Sequence, residues 1–280
     1  LRNSLDLPEA PMKTALVVST QTAQFKALAL SGDLAANMAR IAAWGYEGVE
    51  LAIRDPRLVD GEALLRLAAE NHLEIVAIGT GQAWGEEGLS YTDPDPAVRE
   101  AAIARTLSHL PFARQAGAVL IIGLLRGIVR PGVEPAQAMD WLVQALQRCC
   151  AEAQRYGVRI ALEPINRYET TLINTAAEGL ALIERVGSPH MGLLLDTFHM
   201  NIEEPIMEES IQACGERIFH FHVADSNRWH PGAGHLDFGS LLAALYNTGY
   251  DGYVSGEFMP LPDAATAAER GIAHLRGLEI

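Results

Sequence analysis

The chain repeats one pattern of apolar and polar positions along most of its length. A segment with helical spacing of apolar residues ends at a Gly or Asn, and a short, almost continuously apolar segment follows it. In the first such helix Leu34, Met38 and Ile41 share one face, Asp33 is suited to cap the start, and Gly45 is suited to end it. The later helices are predicted to end at Asn71, Gly117, Gly157, Gly187, Gly215 and Gly249.

The apolar segments predict parallel strands, because strands covered on both faces are nearly continuously hydrophobic. Eight of them alternate with helices, which is typical of a (β/α)8 (TIM) barrel, an α/β fold with a single domain. A doubly wound open sheet is the alternative, but its Gly-x-Gly-x-x-Gly turn is missing after the first strand. The barrel is assigned to residues 12–280, and residues 1–11 are predicted to be an N-terminal extension. The predicted strands are 14–19, 48–53, 73–79, 118–123, 158–163, 191–196, 218–222 and 253–257.

Composition limits the partners of the protein. The formal net charge of −14 argues against nucleic acid and against an anionic membrane surface. The three cysteines, Cys149, Cys150 and Cys214, have no metal-binding spacing and are predicted to be buried free thiols. The sequence shows no apolar targeting segment and no run of about 18 apolar residues, so we expect a reduced, cytoplasmic protein.

Four ionisable side chains lie at the ends of strands five to eight: Glu163, Asp196, His222 and Glu257. The carboxyl ends of barrel strands meet at one face, where barrel enzymes place their chemistry. Three carboxylates and one imidazole at that face predict a divalent cation site. Oxygen-rich ligands suit Mn²⁺, Mg²⁺ or Co²⁺ better than a structural Zn²⁺. The alternative is that each residue forms its own salt bridge or helix cap. Separate salt bridges or caps are a poor explanation for all four residues together, because unpaired buried charge is costly.

The segments that follow these strands are polar. They contain Glu169, His199 and Arg228, which could bind the hydroxyl groups of a sugar or could simply solvate surface loops. Residues 80–96 are predicted to form an extended loop that belongs to a lid, with Trp84 either lining the site or packing elsewhere.

Residues 158–260 resemble the ketose 3-epimerases of the D-tagatose 3-epimerase kind, within the xylose-isomerase-like barrels. The similarity lies in four motifs: Glu-Pro-x-Asn-Arg-Tyr-Glu from Glu163, Asp-Thr-x-His-Met from Asp196, His-x-His-Val-x-Asp-x-Asn-Arg from His220, and Gly-Glu-Phe around Glu257. A Pro-Gly-x-Gly loop begins at Pro231. The first half of the chain matches in architecture and in residues 93–99 only.

This resemblance implies a role for each candidate residue. Glu163, Asp196, His222 and Glu257 would hold one divalent cation, with Mn²⁺ favoured over Co²⁺ and Mg²⁺. Glu163 and Glu257 would also be the acid and base that invert C3 of a ketose. Glu169, His199 and Arg228 would hold the O1–O2 end of the sugar. The resemblance also implies a homodimer or homotetramer.

The chemistry suits these residue types. Removal of a proton beside a ketone needs stabilisation of the enediolate, which a divalent cation can supply. Inversion then needs a base on one face and an acid on the other. A 1,2-isomerisation uses an enediolate of the same kind and returns the proton to a different carbon, so the site alone does not exclude an aldose–ketose isomerase. An abasic-site endonuclease would need a basic DNA-facing surface. A non-catalytic sugar-binding barrel would not need two metal-bound glutamates.

Five further residues leave alternatives open. Arg126 and Arg130 lie after strand four and could bind the phosphate of a ketose phosphate, although we favour a free ketose. Glu50 either faces the barrel interior beside the metal site or forms a salt bridge to the helical layer. His220 is expected on the opposite side of its strand from His222, as a structural residue. Asp225 is assigned no role.

Overall fold

In this computed structural model, residues 12–21 and 30–278 are described. The predicted N-terminal extension, residues 1–11, lies outside them. The strands are β1 Lys13–Ser19, β2 Gly48–Ala52, β3 Glu74–Gly79, β4 Val119–Ile122, β5 Ile160–Leu162, β6 Met191–Asp196, β7 Ile218–Val223 and β8 Tyr253–Gly256. The helices are α1 Leu34–Trp44, α2 Gly61–Glu70, α3 Gln82–Glu87, α4 Pro96–Ala116, α5 Pro135–Tyr156, α6 Ala176–Val186, α7 Thr197–Glu203, α8 Met207–Cys214, α9 Phe238–Tyr246 and α10 Ala264–Arg276.

The eight strands close into a barrel in chain order, β1 to β8, and β8 pairs with β1. All neighbouring pairs are parallel. This confirms the predicted TIM barrel and excludes the doubly wound sheet.

The core has two layers, because successive side chains of a strand point alternately into the barrel and out to the helices. Most buried apolar residues lie in the outer layer between strands and helices. Inside the barrel, register pairs Ala77 with Val119 and Ile121 with Ala161, and these residues form a smaller cluster with Leu194. Small and medium side chains fill the interior below the carboxyl ends of the strands, so the cavity is confined to that end.

The helix ends largely follow the predicted signals. Gly45, Gly117 and Gly187 end α1, α4 and α6 with left-handed backbone, φ +93°, +68° and +70°. Asn71 ends α2 with φ −99°, and the left-handed residue there is His72 at φ +55°. The predicted helix end at Asn71 is therefore confirmed, although the left-handed conformation falls on the next residue.

Two other expectations have clear outcomes. Cys149, Cys150 and Cys214 are buried free thiols, as predicted. The segment 80–96 is not an extended loop throughout, because it contains helix α3 and the first residue of α4. Across residues 12–21 and 30–278, no helix combines the length and the apolar character needed to cross a membrane.

Candidate active site

The carboxyl ends of the strands surround a cavity of about 310 Å³. Its wall includes Glu163 directly after β5, His222 in β7 and Glu257 directly after β8. Trp84 of α3 also lines it. Glu169, His199 and Arg228 line the same cavity. The structure thus brings the predicted substrate-binding residues and the predicted metal ligands to one place.

Strand register explains why the four predicted ligands converge. Asp196 in β6 lies opposite His222 in β7, and Val223 in β7 lies opposite Gly256 in β8, directly before Glu257. Each of Glu163, Asp196, His222 and Glu257 offers one ligand atom, and these atoms all lie within 4.8 Å of one another. Ligands on opposite sides of a cation, each about 2.0–2.6 Å from it, are separated by about 4–5 Å. The four atoms are therefore spaced as the shell of one ion.

The hydrogen-bonding state of these atoms also fits a metal site. Glu163 Oε1, Asp196 Oδ2 and His222 Nδ1 are buried, and none has a hydrogen-bond partner among the described residues. Buried polar atoms without partners are rare in folded proteins and call for an explanation such as an ion. Two carboxylate oxygens and one imidazole nitrogen form an oxygen-rich donor set that suits a divalent cation.

The pKa values of the clustered carboxylates also fit a cation site. Burial raises the pKa of Glu163 well above its ordinary value, and the neighbouring charge of Glu257 adds to this effect. Burial also raises the pKa of Asp196, and it raises that of Glu257 to about 7 against the opposing effect of His222. Close carboxylates resist ionisation together in a low-dielectric site. A bound cation would remove that resistance, since its charge favours the ionised form of every ligand.

Glu50 faces the barrel interior, which settles the alternatives left open for it. One carboxylate oxygen, Oε2, lies 2.8 Å from His220 Nε2 and 2.8 Å from His222 Nε2. Burial alone would raise the pKa of Glu50, but the two imidazoles hold it below the ordinary value. An anionic Glu50 therefore accepts a hydrogen bond from Nε2 of His222, and Nδ1 is the nitrogen that remains for a metal. Against the effect of burial, Glu50 and the neighbouring carboxylates raise the pKa of His222 to about 10, so a cation at Nδ1 would displace a proton. Such a carboxylate–histidine pair orients a metal-binding imidazole.

The expected orientation of His220, on the opposite side of its strand from His222, was wrong. His220 and His222 are two residues apart in β7, and residues at that spacing point to the same face of a strand. Both rings lie inside the barrel and both contact Glu50. The structural role expected for His220 agrees with its burial and with this hydrogen bond.

Asn166, which the sequence did not single out, organises the polar side of the cavity. Its side-chain Nδ2 lies 2.8 Å from His199 Nδ1 and 2.9 Å from Glu169 Oε1. The Oδ1 atom accepts the backbone N–H of Tyr168, which fixes the orientation of the amide. The amide thus donates to Nδ1 of His199, so the ring carries its proton on Nε2. Burial lowers the pKa of His199 well below its ordinary value, and the ring is neutral at pH 7.

His199 presents its Nε2–H group towards the predicted metal ligands. This nitrogen lies 3.5 Å from Glu163 Oε1 and 3.9 Å from Asp196 Oδ2. It is therefore a hydrogen-bond donor at the edge of the cluster, placed to meet a ligand oxygen beside Glu163.

Arg228 connects a predicted substrate-binding residue, Glu169, to a predicted metal ligand, Glu257. Its guanidinium lies 3.1 Å from Glu169 Oε1 and 3.0 Å from Glu257 Oε2, and it stacks over the ring of Phe198 at 4.7 Å. Because Glu257 is one of the clustered carboxylates, Arg228 is in position to hold a ligand directly beside that cluster.

Arg126 has a structural place in the fold. Its side chain is fully buried and donates to backbone carbonyls of Gly123, Leu172, Ile173 and Glu163. It joins the loop after β4 to the loop after β5, which carries Asn166 and Glu169. Its donors are therefore engaged by the main chain, and Arg126 is unsuited to a phosphate. The neighbouring Arg130 lies near Asp93 at 4.0 Å and does not line the cavity among the described residues.

Comparison with known proteins agrees with the fold. A family model described as a xylose isomerase-like TIM barrel matches residues 38–278. An L-ribulose 3-epimerase from Methylomonas sp. (strain DH-1) is 34% identical over 82% of this chain and 82% of its own length. A ketose 3-epimerase from Arthrobacter globiformis is 32% identical over 75% of this chain and 72% of its own length.

Solved structures give the same result. The crystal structure of a D-allulose 3-epimerase from Methylomonas sp. in complex with D-allulose superposes with a TM-score of 0.80. The identity is 28%, and the match covers 95% of this chain and 96% of that one. The chain therefore belongs to the xylose isomerase-like TIM barrel family. Within that family its relatives over most of the chain are ketose 3-epimerases, and the protein is an isomerase of this epimerase kind.

Proposed function

We propose that this protein inverts C3 of a free ketose through an enediolate, with one divalent cation and with Glu163 and Glu257 as acid and base. The observation that carries the proposal is the set of three buried atoms, Glu163 Oε1, Asp196 Oδ2 and His222 Nδ1, that share one point with Glu257 and have no partner among the described residues. The family supplies the reaction class and the site supplies the residues.

The cation would be held by Glu163, Asp196, His222 and Glu257, and Mn²⁺ is favoured because the donors are mainly carboxylate oxygens. When bound, it supplies a Lewis acid that stabilises negative charge at the carbonyl oxygen of the ketose. Asp196, whose carboxylate also accepts the backbone N–H of Phe198 at 2.8 Å, is fixed at the start of α7 and serves as a ligand only.

The two glutamates exchange protons with C3. One carboxylate removes the C3 proton as base, the electron pair moves towards the carbonyl, and the other carboxylic acid returns a proton to the opposite face of C3. The product is the C3 epimer, and the roles reverse in the opposite direction. Burial raises the pKa of Glu257 to about 7 without a cation, and a bound cation would lower it again.

The remaining polar residues orient the sugar. His199 donates through Nε2–H, Arg228 donates through its guanidinium, and Glu169 accepts from a hydroxyl. Hydrogen bonds hold all three side chains in place. Asn166 contacts both His199 and Glu169. Arg228 contacts Glu169 and Glu257. Trp84 on α3 also lines the cavity and provides an apolar surface.

The experiment that tests this function is NMR of a panel of ketoses and ketose phosphates in deuterated buffer with Mn²⁺. Epimerisation at C3 places deuterium from solvent on C3 and yields the C3 epimer. Deuterium at C2 of an aldose product, and at C1 of the recovered ketose, would instead establish the 1,2-isomerase. Absence of exchange and of turnover on every sugar would reject both enzyme functions.

Replacing Glu169, His199 or Arg228 by Ala is expected to weaken ketose binding and turnover while cation binding stays normal. Misplacing C3 between two carboxylates costs rate as well as affinity, so kcat/KM should fall by at least ~10-fold. Cation titration and steady-state kinetics on the same preparations make the measurement. Loss of cation binding in any of the three would place that residue among the metal ligands and contradict its assigned role.

Arg126 and Arg130 should behave differently when each is replaced by Ala. Arg126→Ala leaves several buried carbonyls without donors, so the free energy of unfolding should fall by about 3 kcal/mol or more. Arg130→Ala is the matched control, and its weak, partly exposed ion pair predicts a change within about 0.5 kcal/mol. Denaturant unfolding measures both.

The same variants test the preference for a free ketose. Catalytic efficiency should be higher on a ketose than on its phosphate, and Arg130→Ala should leave that ratio unchanged. A preference of ~100-fold for the phosphate that disappears in Arg130→Ala would show that this loop binds a phosphate after all.

A further inference from the structure

Residues 224–237 connect β7 to α9 without helix or strand, and we call them the 224–237 loop. Loops longer than about 12 residues without secondary structure are uncommon in compact domains and usually carry a function. This loop carries Arg228, which contacts Glu169 and Glu257 in the site. Something must therefore hold the loop in one conformation.

A single buried carboxylate lies at the centre of the loop. Asp225 is 1% exposed. Its Oδ1 accepts the backbone N–H groups of Ser226 at 2.7 Å and Leu236 at 3.2 Å, and its Oδ2 accepts that of Gly232 at 2.9 Å. Burial alone would raise the pKa of Asp225, but these main-chain donors hold it below its ordinary value. The loop thus folds around an anion that its own N–H groups stabilise, as in an anion-binding nest.

Gly234 shows how closely the main chain follows this carboxylate. A Cβ atom at position 234 would lie 2.2 Å from Asp225 Oδ1, far inside any real contact. The backbone of Gly234 has no left-handed φ, so glycine is required there by the close approach and not by the backbone angle. Any larger residue must displace either the loop or the carboxylate.

The main chain of Asp225 also sets the position of Arg228. The N–H of Arg228 donates to the carbonyl of Asp225 at 2.7 Å, and the N–H of Asp225 donates to the carbonyl of Trp229 at 2.9 Å. Arg228 has φ +61°, a left-handed conformation that non-glycine residues adopt only when their surroundings enforce it. Both backbone polar groups of Asp225 therefore hydrogen-bond within the turn that carries the Arg228 side chain.

We propose that Asp225 is a positioning residue, whose carboxylate orders the 224–237 loop and thereby fixes Arg228 against Glu169 and Glu257. The inference rests on the proposed function, in which Arg228 holds one end of the ketose. Asp225 itself touches neither the clustered ligand atoms nor the cavity wall in the described structure. Its effect on the reaction is transmitted through the loop.

Two substitutions disturb the carboxylate in independent ways. Asp225→Asn keeps the size but turns an N–H₂ group towards one of the backbone donors. Gly234→Ala keeps the charge but places a methyl group against Oδ1. Asp237→Asn is the matched control, because Asp237 is an exposed cap at the end of the same loop and Asn caps helices equally well.

Hydrogen–deuterium exchange of the full-length, Mn²⁺-loaded protein reads the loop directly. In Asp225→Asn and in Gly234→Ala, exchange of the amides at residues 226–236 should rise by at least ~10-fold, with the barrel strands unchanged. Mn²⁺ affinity should stay within about twofold, KM should rise, and kcat/KM should fall by at least ~10-fold. The double variant should be scarcely worse than either single one, since both act on the same contact. The control should match the wild type throughout.

The outcomes separate this inference from the proposed function. Unchanged exchange in both variants would show that the carboxylate does not order the loop. Raised exchange with kcat/KM retained would show that the order of the loop does not matter for the reaction, and would also overturn the proposal. If the wild type epimerises no ketose, the proposed function fails, and the exchange measurement alone decides whether Asp225 orders the loop.

Discussion

Replacing Glu163 or Glu257 by Gln is expected to lower turnover by at least ~10²-fold, with Mn²⁺ at saturating concentration. Gln keeps an oxygen that can bind the cation but cannot carry the proton to or from C3. The double variant should be scarcely slower than either single variant, because neither group completes the inversion without the other. Steady-state kinetics on the best ketose of the panel measure all three.

The exchange of C3 with solvent adds a sharper test of the same pair. If one glutamate is only the base for a given epimer, its Gln variant should lose C3 deuterium exchange from that epimer altogether. The other variant should retain exchange without inversion, because the proton can leave and return on one face. Glu216→Gln is the control, since Glu216 is exposed and precedes β7, whose other end carries His222. Near-normal turnover in either single variant would reject the two-carboxylate mechanism and favour a 1,2-isomerase or hydride shift.

The barrel and the clustering of the four predicted ligands could be foreseen because each depends on short local signals. An apolar strand that ends in a charged residue is visible in the sequence, and parallel strands bring their carboxyl ends together. Asp196 and Glu257 needed no knowledge of long-range contacts, only the order of the strands. The helix-ending glycines at positions 45, 117 and 187 were equally local, since a left-handed residue costs glycine little.

The supporting residues could not be assigned in this way, because their roles depend on partners far along the chain. Glu50 and His220 are separated by 170 residues, and sequence alone left two environments open for Glu50. The orientation of His220 was predictable from the alternation of side chains and was misjudged. Arg126 resembled a surface cation, since arginine is seldom fully buried, and only the structure shows the carbonyls that compensate its burial.

Asn166 and Asp225 illustrate a second limit. Both lie in polar segments between strands and helices, where residues that organise a site and residues that only face solvent have the same composition. Asn166 is 1% exposed and Asp225 is also 1% exposed, and burial is what separates them from ordinary loop residues. A sequence pattern carries no direct record of that burial.

Removal of the divalent cation is expected to abolish epimerisation, and Mn²⁺ or Co²⁺ should restore it. Only the folded barrel assembles Glu163, Asp196, His222 and Glu257, so the cation should also stabilise the fold. At a free concentration of 100 times Kd the added stability is about 2.7 kcal/mol. Activity after chelation and thermal unfolding with and without Mn²⁺ make the two measurements, and full activity in metal-free protein would contradict the assignment.

In Asp196→Asn, Mn²⁺ should neither restore activity nor stabilise the fold, because the substitution replaces a charged ligand in a buried site with a neutral amide. Glu203→Gln is a matched control, since Glu203 lies near the same rim but pairs with Arg167 outside the cluster.

The affinity of the wild type for Mn²⁺ should rise from pH 6 to pH 8. Burial and like charge raise the pKa of Glu163, and that of Glu257 is about 7, so protons compete with the cation at the lower pH. An affinity that is independent of pH over this range would mean that the cation binds elsewhere than between these carboxylates.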